Sequence, residues 1–288
     1  MLGGLARRVS LVEKLKSEDR SLLVVDSGNL MTGAWTDANQ TQSLTKAGLI
    51  SRAYIRMGVA AINVGDMDLM LGLVFLRKEA SHGLPLVSSN LVNRSTRTSI
   101  FKPYIIKKVG GIRVAFFGLL SPDIRTDIYK EAGKEFLVKE PVTTAREMTG
   151  ILRGKADVII LLSALPSDRQ QEVIRAVPGI HFVLGGRDGR YVQSPLWEGR
   201  TPILESYKYG MYAGKLQLGG VNASSPYSYK RTEEQAMQHA SSGDAARISR
   251  EPPSGDNSFH WTLIPLDKSI PEDKEVSGWI RKAGIEKD

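Results

Sequence analysis

The sequence contains no cysteine and no apolar run close to the ~20 residues that cross a bilayer as a helix. The missing cysteine excludes disulfides, thiolate metal sites and cysteine nucleophiles, so cysteine usage gives no information on the redox compartment. The longest apolar stretch surrounds residues 158–162 and has the length of a buried strand. We therefore predict a chain without a membrane span.

Signatures of several common functions are also missing. No Gly-rich phosphate loop with its lysine and no G-x-S-x-G elbow occurs. The first fifteen residues follow an amphipathic helix pattern instead of the basic, apolar and small-residue order of a secretory signal. The net charge of +8 is spread along the chain without a basic helix face, so we predict no direct nucleic-acid binding.

The histidines do not form a recognisable metal-binding pattern. They are His82, His181, His239 and His260. These positions lie far apart and fit no H-E-x-x-H or similar ligand spacing. We interpret each as a surface or packing histidine.

Short β-rich apolar runs alternate with helical patterns, which predicts a layered, mixed α/β (α+β) fold with a single domain over residues 1–288. Helices are predicted at 5–15, 44–57, 141–153 and 167–176, the last capped by Ser167 or Asp168. Strands are predicted at 21–26, 60–64, 85–89, 104–109, 112–119, 158–162, 182–184, 202–205, 212–218 and 259–266. We expect 21–26 to be a central strand buried on both faces, and Gly65 to allow a sharp turn after 60–64.

Residues 221–258 differ in composition from the rest of the chain. They are rich in Ser, Gly, Pro and charge and contain few large apolar side chains. Such a segment cannot bury enough apolar surface to fold by itself. We predict a flexible insertion between two paired strands.

Several short motifs follow one another in order along most of the chain. In chain order they are GGLARR (3–8), LLVVDSGN (22–29), VGDMDLMLG (64–72), LVSSN (86–90), KPYIIK (102–107), GIRVAFFGL (111–119), ADVIILLSAL (156–165), PGIHFVLGGR (178–187), TPI (201–203) and YGMYAGKL (209–216). Together they resemble the amino-terminal domain of the 5'-nucleotidase and UDP-sugar hydrolase (UshA-like) branch of the calcineurin-like metallophosphoesterases.

The resemblance implies a four-layer α/β/β/α sandwich of two mixed sheets, with the site on loops at one rim. It also implies nucleotide catabolism, a periplasmic or otherwise exported location, and a nucleotide-specificity domain after the catalytic one. The family's first motif, an Asp and a His on a strand before the GGLARR helix, does not occur. We therefore expect the domain to lack its first strand.

One branch that the chain resembles carries a cysteine or selenocysteine just before this helix. This suggests the hypothesis that a UGA codon read as a stop hides an upstream segment with an export signal. An upstream genomic sequence without an in-frame Cys or UGA codon would contradict the hypothesis.

The resemblance also assigns the family's metal positions to residues of this chain. They are Asn29, Asp66, Asn90, Ala164, Arg187 and Gly189, and the family's catalytic positions are Met67 and Asp68. A two-metal phosphoesterase needs carboxylate, imidazole and amide donors around a bridging hydroxide. Asn29 replaces the bridging carboxylate, Met67 cannot donate a hydrogen bond, and Arg187 places a permanent positive charge where a cation would sit.

Three functions remain open. The first is a binding or accessory domain that has lost two-metal hydrolysis and needs no cofactor. The second is a residual hydrolase of nucleotides or sugar-phosphate esters that uses one Mn, Zn or Mg ion with Asp66 and Asp68. The third is a sensor of a small anion or nucleotide that uses Arg187, Arg190 and Asn90.

The carboxylates allow two interpretations. Asp26, Asn29, Asp66 and Asp68 could lie at neighbouring strand ends and bind Mg or Ca. Alternatively, these side chains cap helices, close turns and pair with Arg187. Substrate and oligomeric state do not follow from the sequence.

Overall fold

The fold is taken from a computed structural model that describes residues 3–31, 40–123, 132–222, 225–231 and 257–285. Its helices are α1 (Leu5–Glu18), α2 (Gln40–Arg56), α3 (Leu73–Ser81), α4 (Ala132–Glu135), α5 (Pro141–Leu152), α6 (Ser167–Ala176) and α7 (Lys274–Lys282), with a 3₁₀ turn at Asp68–Leu71. None of the described helices is long and apolar enough to cross a membrane.

The strands are β1 (Val25–Asp26), β2 (Ala61–Asn63), β3 (Leu86–Val87), β4 (Leu91–Asn93), β5 (Tyr104–Val109), β6 (Ile112–Leu120), β7 (Phe136–Val138), β8 (Val158–Ala164), β9 (Phe182–Gly185), β10 (Leu196–Glu198), β11 (Thr201–Glu205), β12 (Tyr212–Gly219), β13 (Tyr227–Tyr229) and β14 (Asn257–Pro265). They form a parallel sheet β1-β2-β3, a six-stranded mixed sheet β10-β11-β9-β8-β6-β5, a sheet β12-β14-β13 and the pair β4-β7. The mixed α/β fold predicted from the sequence is thus confirmed.

The six-stranded sheet is buried on both faces. Along β8, Ile159 and Leu161 contribute to a core that also contains side chains of α5 and α6. The intervening Val158, Ile160 and Leu162 contribute to a second core, shared with β2, β13 and β14. Successive side chains of a strand point to opposite faces, so this apolar run fills two cores at once. A third core joins α1, α2, α3 and α7 to β2 and β3.

The predicted order of four layers, α/β/β/α, stays a prediction.

The start of α5 follows from its sequence. Pro141 occupies the first turn, where its missing N–H removes no helical bond. The preceding Glu140 accepts hydrogen bonds from the backbone N–H groups of Val142 and Thr143, at 3.0 and 2.6 Å. The predicted capping of α6 is wrong: the cap position is Pro166, and the Ser167 hydroxyl and N–H bond Asp188 instead.

β1 and β12 each pair on one side only within the described part of the chain. β1 is bonded to β2, and β12 is bonded to β14. The expectation that 21–26 is buried on both faces is wrong, because Leu23 and Val25 remain half-buried at the edge of a three-stranded sheet.

The prediction of a flexible insertion at 221–258 must be narrowed. Tyr227–Tyr229 forms β13 and pairs in parallel with β14, and Tyr227 is buried. The ring of Tyr227 packs edge-on against Phe182, with centroids 4.7 Å apart, so one aromatic residue anchors this part. Residues 223–224 and 232–256 of the predicted insertion lie outside the described residues.

Candidate functional site

The loops that follow β1, β2 and β9 meet at one edge of the molecule. A Cβ atom on Gly186, after β9, would lie 2.1 Å from the Ser27 hydroxyl after β1. A Cβ on Gly65, after β2, would lie 2.0 Å from the Asn29 side-chain oxygen. These three loops therefore adjoin one another at strand ends, which is where open α/β sheets bind ligands.

Arg187 and Asp66 form an ion pair at this edge. The Arg187 Nη1 atom lies 2.5 Å from the Asp66 Oδ1 atom, and the two side chains are 27% and 13% exposed. The pair is therefore partly shielded from water, which strengthens the attraction relative to an open surface pair. The interpretation that Asp66 pairs with Arg187 is confirmed.

The Asp68 carboxylate accepts hydrogen bonds from three backbone N–H groups at the site. One carboxylate oxygen accepts from the N–H groups of Asn29 (2.8 Å) and Gly65 (2.9 Å), and the other accepts from Met31 (2.9 Å). The side chain is only 1% exposed. Burial raises the pKa of Asp68 to about 6. The three N–H donors lower this pKa, whereas the nearby Asp26 carboxylate raises it. Asp68 thus ties the loop after β1 to the loop after β2.

Asn29 contributes a second link between the same loops. Its side-chain oxygen accepts a hydrogen bond from the backbone N–H of Met67 at 2.9 Å. The residue has a positive φ of 58°, a conformation that Asn tolerates better than most residues. The oxygen that would face a metal ion is therefore bonded to the backbone. Met67 itself is exposed and offers only a thioether.

Of the remaining site positions, Asn90 is hydrogen-bonded within the protein and Ala164 is apolar. Asn90 is fully buried, and its amide donates to the carbonyls of Leu120 and Lys139 while its oxygen accepts from the Leu120 N–H. Ala164 at the end of β8 is buried in an apolar core. At Gly189 a Cβ atom would lie 2.9 Å from the side chain of Lys208.

Arg190 binds Glu205 and not the site. The backbone N–H and the guanidinium Nε of Arg190 lie 3.1 Å from the two Glu205 oxygens, and its Nη2 makes a further contact. Glu205 is 3% exposed, so a buried carboxylate holds this guanidinium. Arg187, Arg190 and Asn90 therefore each have a partner inside the protein, and an anion site formed by the three stays a prediction.

The donor set does not fit a pair of divalent cations. No group of three or more His, Asp or Glu side chains among the described residues could hold a metal ion. The physical reason is visible at each position: Asp68 already accepts three backbone N–H groups, Asp66 is neutralised by a guanidinium, and Asp26 is turned toward Gly28 and Tyr54. The side-chain oxygens of the four candidate ligands, Asp26, Asn29, Asp66 and Asp68, are therefore each bound to a different partner in the protein.

A buried network beside the site was missed by the sequence analysis. The Arg8 guanidinium donates to the Tyr54 hydroxyl, which donates to Asp26 Oδ2 at 3.1 Å. The Asp26 Oδ1 atom accepts from the Gly28 N–H at 3.0 Å. Burial raises the pKa of both Tyr54 and Asp26, so the tyrosine stays protonated. Arg8 and Asp26 lie in recognised motifs, but nothing in the sequence marked Tyr54 on α2.

We expect Tyr54→Phe to lower the free energy of unfolding by about 1–3 kcal/mol, because Arg8 and Asp26 lose the hydroxyl that links them. Urea unfolding at pH 7 measures this change. Tyr104→Phe is the matched control, since no hydrogen bond of the Tyr104 hydroxyl occurs among the described residues. Equal losses in the two variants would contradict the assigned role of Tyr54.

Comparisons with known proteins agree with the fold. No protein-family model matches the chain. The chain is 24% identical over 206 residues to the 2',3'-cyclic-nucleotide 2'-phosphodiesterase/3'-nucleotidase of Salmonella typhimurium, which covers 64% of this chain and 32% of that protein. It is 24% identical over 250 residues to protein UshA of Yersinia enterocolitica, and this match covers 74% of this chain and 44% of UshA. The chain thus spans less than half the length of these relatives.

Solved structures show the same similarity. The sulfate thiohydrolase SoxB of Thermus thermophilus superposes with a TM-score of 0.77 at 16% identity, covering 98% of this chain and 46% of SoxB. A 5'-nucleotidase precursor, also from Thermus thermophilus, gives 0.71 at 19% identity, covering 98% and 53%. These matches confirm both the resemblance to the UshA-like amino-terminal domain and the metallo-dependent phosphatase-like fold.

Proposed function

We propose that this chain, a metallophosphoesterase-fold relative of the 5'-nucleotidases, does not hydrolyse phosphate esters by a two-metal mechanism and serves as a binding or accessory domain. The observation that supports the proposal is the ion pair between Arg187 and Asp66, two residues that the motif resemblance assigns to the family's metal positions. The periplasmic or exported location implied by the resemblance is part of the proposal and rests on the resemblance alone.

Electrostatics support this proposal. A divalent cation near Asp66 would have to displace a guanidinium that already neutralises the carboxylate, and would then face that permanent positive charge at close range. The neighbouring donors offer no compensation, because Asn29 and Asp68 are bonded to backbone N–H groups. Two cations held about 3.5–4 Å apart, as in-line displacement requires, would find no bridging carboxylate.

We expect purified protein incubated with Mn, Zn or Mg to retain far less than one ion per chain after desalting. We also expect it to show no turnover of p-nitrophenyl phosphate, bis-p-nitrophenyl phosphate or nucleoside monophosphates. Elemental analysis and product release measure the two quantities.

Asp66→Ala tests the competing one-metal hydrolase, and Arg187→Gln tests whether the guanidinium alone prevents hydrolysis. Stoichiometric metal with turnover that Asp66→Ala abolishes would overturn the proposal in favour of a one-metal hydrolase. Arg187→Gln removes the blocking charge but restores no ligand at Ala164 or Gly189, so we expect this variant also to remain inactive. Arg20→Gln, which removes an equal charge from the exposed turn after α1, is the control.

A further inference from the structure

Helix α7 packs on α1 and α2 with little apolar burial. Among its nine residues only Val276 is buried, while Trp279 and Ile280 pack partly against the core. A helix of this length is marginal by itself in water, and Gly278 in its interior lowers its helix propensity further. α7 therefore stays helical only while it is docked, so that docking and helix formation are one event.

One guanidinium joins all three helices. Arg56, the last residue of α2, lies 2.8 and 3.0 Å from the two carboxylate oxygens of Asp273, the N-cap residue of α7. The same group lies 3.0 Å from Glu275 Oε2 in the first turn of α7 and 2.8 Å from Glu13 Oε1 on α1. The side chains of Arg56 and Asp273 are 28% and 12% exposed, so water screens this pair only in part. We call these four side chains the Arg56 cluster.

Further contacts connect α7 to the same two helices. Arg7 of α1 lies 3.1 Å from Glu272, just before α7. The Arg52 guanidinium of α2 lies 3.7 Å from the centre of the Trp279 ring, at the distance of a cation–π contact. Both contacts again place a cation of the body against α7 or the residue before its cap, so charge contributes much of the attachment.

The Arg56 cluster contains one cation and three carboxylates. All three carboxylates lie within 3.0 Å of the same guanidinium, so they are also close to one another. Carboxylates at such separations repel one another unless a cation lies between them. Loss of the guanidinium would therefore change an attraction between α7 and the other two helices into a repulsion.

We propose that α7 is a salt-sensitive latch, a helix that holds α1 and α2 together and that opens without unfolding the rest of the molecule, with Arg56 as the residue that keeps it closed. α1 carries Arg8 and α2 carries Tyr54, so the latch joins the two helices whose side chains meet beside Asp26. The latch is independent of the proposed loss of hydrolysis, because the Arg56 cluster shares no residue with the candidate site.

Native-state hydrogen exchange, measured by mass spectrometry on peptides from α7 and from the buried strand β8, tests the proposal. In the wild type we expect the amides of α7 to exchange faster than those of β8, because α7 opens by itself. Raising NaCl from about 0.02 to about 1 M should accelerate the exchange of α7 further, since salt screens the ion pairs of the cluster. The exchange of β8 should not be accelerated.

Arg56→Gln should accelerate the exchange of α7 at least about tenfold at low salt, because α7 loses hydrogen bonds between charged groups. Its salt dependence should be reversed, since salt then screens the repulsion among the three remaining carboxylates. Arg77→Gln is the matched control, because it removes an equal charge from the exposed ion pair with Glu135 and should leave the exchange of α7 unchanged.

Three results would each overturn the proposal. The first is an equal exchange rate in α7 and β8 of the wild type, which would mean that α7 opens only with the whole molecule. The second is an Arg56→Gln variant whose α7 exchanges no faster than that of Arg77→Gln. The third is a salt dependence of α7 that has the same sign in the wild type and in Arg56→Gln.

Discussion

Replacing Asp68 with alanine should lower the free energy of unfolding by at least about 3 kcal/mol at pH 5, because three buried backbone N–H groups lose their acceptor. Each buried donor left without a partner costs about 1–3 kcal/mol, and the three donors lie on two different loops. Urea unfolding measures the loss. A loss below about 1 kcal/mol would contradict the assigned role of Asp68 as the link between the loops.

The same residue should give stability a characteristic pH dependence. Its pKa is raised to about 6 in the folded protein, above the ordinary value of 3.8. Between these pH values the folded state binds more protons than the unfolded state, so stability falls as pH rises from about 4 to about 6 and is then level. A shift of about two units corresponds to roughly 3 kcal/mol across this window.

Asp68→Asn isolates this contribution, because the amide has a similar shape but does not titrate. We expect the free energy of unfolding of the wild type, minus that of Asp68→Asn, to decrease as the pH rises from 4 to 6.5. Asp123→Asn, at an exposed position, should follow the wild-type profile. Parallel profiles for wild type and Asp68→Asn would show that the pKa of Asp68 is not raised.

The second large effect is expected at Gly65. An alanine Cβ there would lie 2.0 Å from Asn29 Oδ1 and 2.7 Å from the Asn29 backbone nitrogen. Neither atom can move freely, because the oxygen accepts from Met67 and the nitrogen donates to Asp68. We expect Gly65→Ala to cost about 2–4 kcal/mol, the sum of overpacking and a disturbed hydrogen bond.

Two further variants give this prediction its controls. Gly150 lies in α5 and is exposed, and a Cβ atom added there would meet nothing within 4 Å, so Gly150→Ala should raise stability by up to about 1 kcal/mol. Asn29→Gly removes the clashing side chain and suits the positive φ at that position. The double variant of Gly65→Ala with Asn29→Gly should therefore lose less than the sum of the single losses; strict additivity would contradict the packing explanation.

Gly65 also shows what sequence patterns can and cannot predict. The sequence correctly indicated that a glycine ends the strand, but the reason is different from the expected one. The residue does not have a positive φ, and glycine is needed because Asn29 from another loop packs against it. A close approach between segments distant in sequence leaves no local signal, whereas a turn does.

The longer strands and helices were predictable because their periodicity is local, whereas the short strands β4, β7, β10 and β13 were not predicted. Tyr104–Val109 and Ser167–Ala176 have the predicted bounds, and β8 extends two residues beyond them. Helix α7 was not predicted, although Asp273 at its N-cap and the spacing of Val276 from its neighbours are local signals. The edge position of β1 was not predictable, since the side chains of an apolar run do not specify how many neighbours the strand has.

For the site, the pairing of Asp66 with Arg187 was one of the two interpretations of the carboxylates and is confirmed, whereas the bonding of the other residues was not predicted. Asp26 and Asp68 carry carboxylates, as many metal ligands do, yet these carboxylates bind a tyrosine hydroxyl and backbone N–H groups. A carboxylate satisfied by the backbone and one available to a cation have the same sequence letter. Their difference depends on which loops fold over them.

The unpaired sides of β1 and β12 bear on how this protein behaves in solution. An edge strand presents a row of N–H and C=O groups to which a strand of another molecule can add, and apolar side chains on such an edge increase the tendency to aggregate. At β1 this row comprises only Val25 and Asp26, and in β12 it includes Lys215. A very short edge strand and an edge lysine both hinder the addition of a strand from another molecule. The net charge of +8 adds repulsion between molecules, and this repulsion weakens as salt screens it.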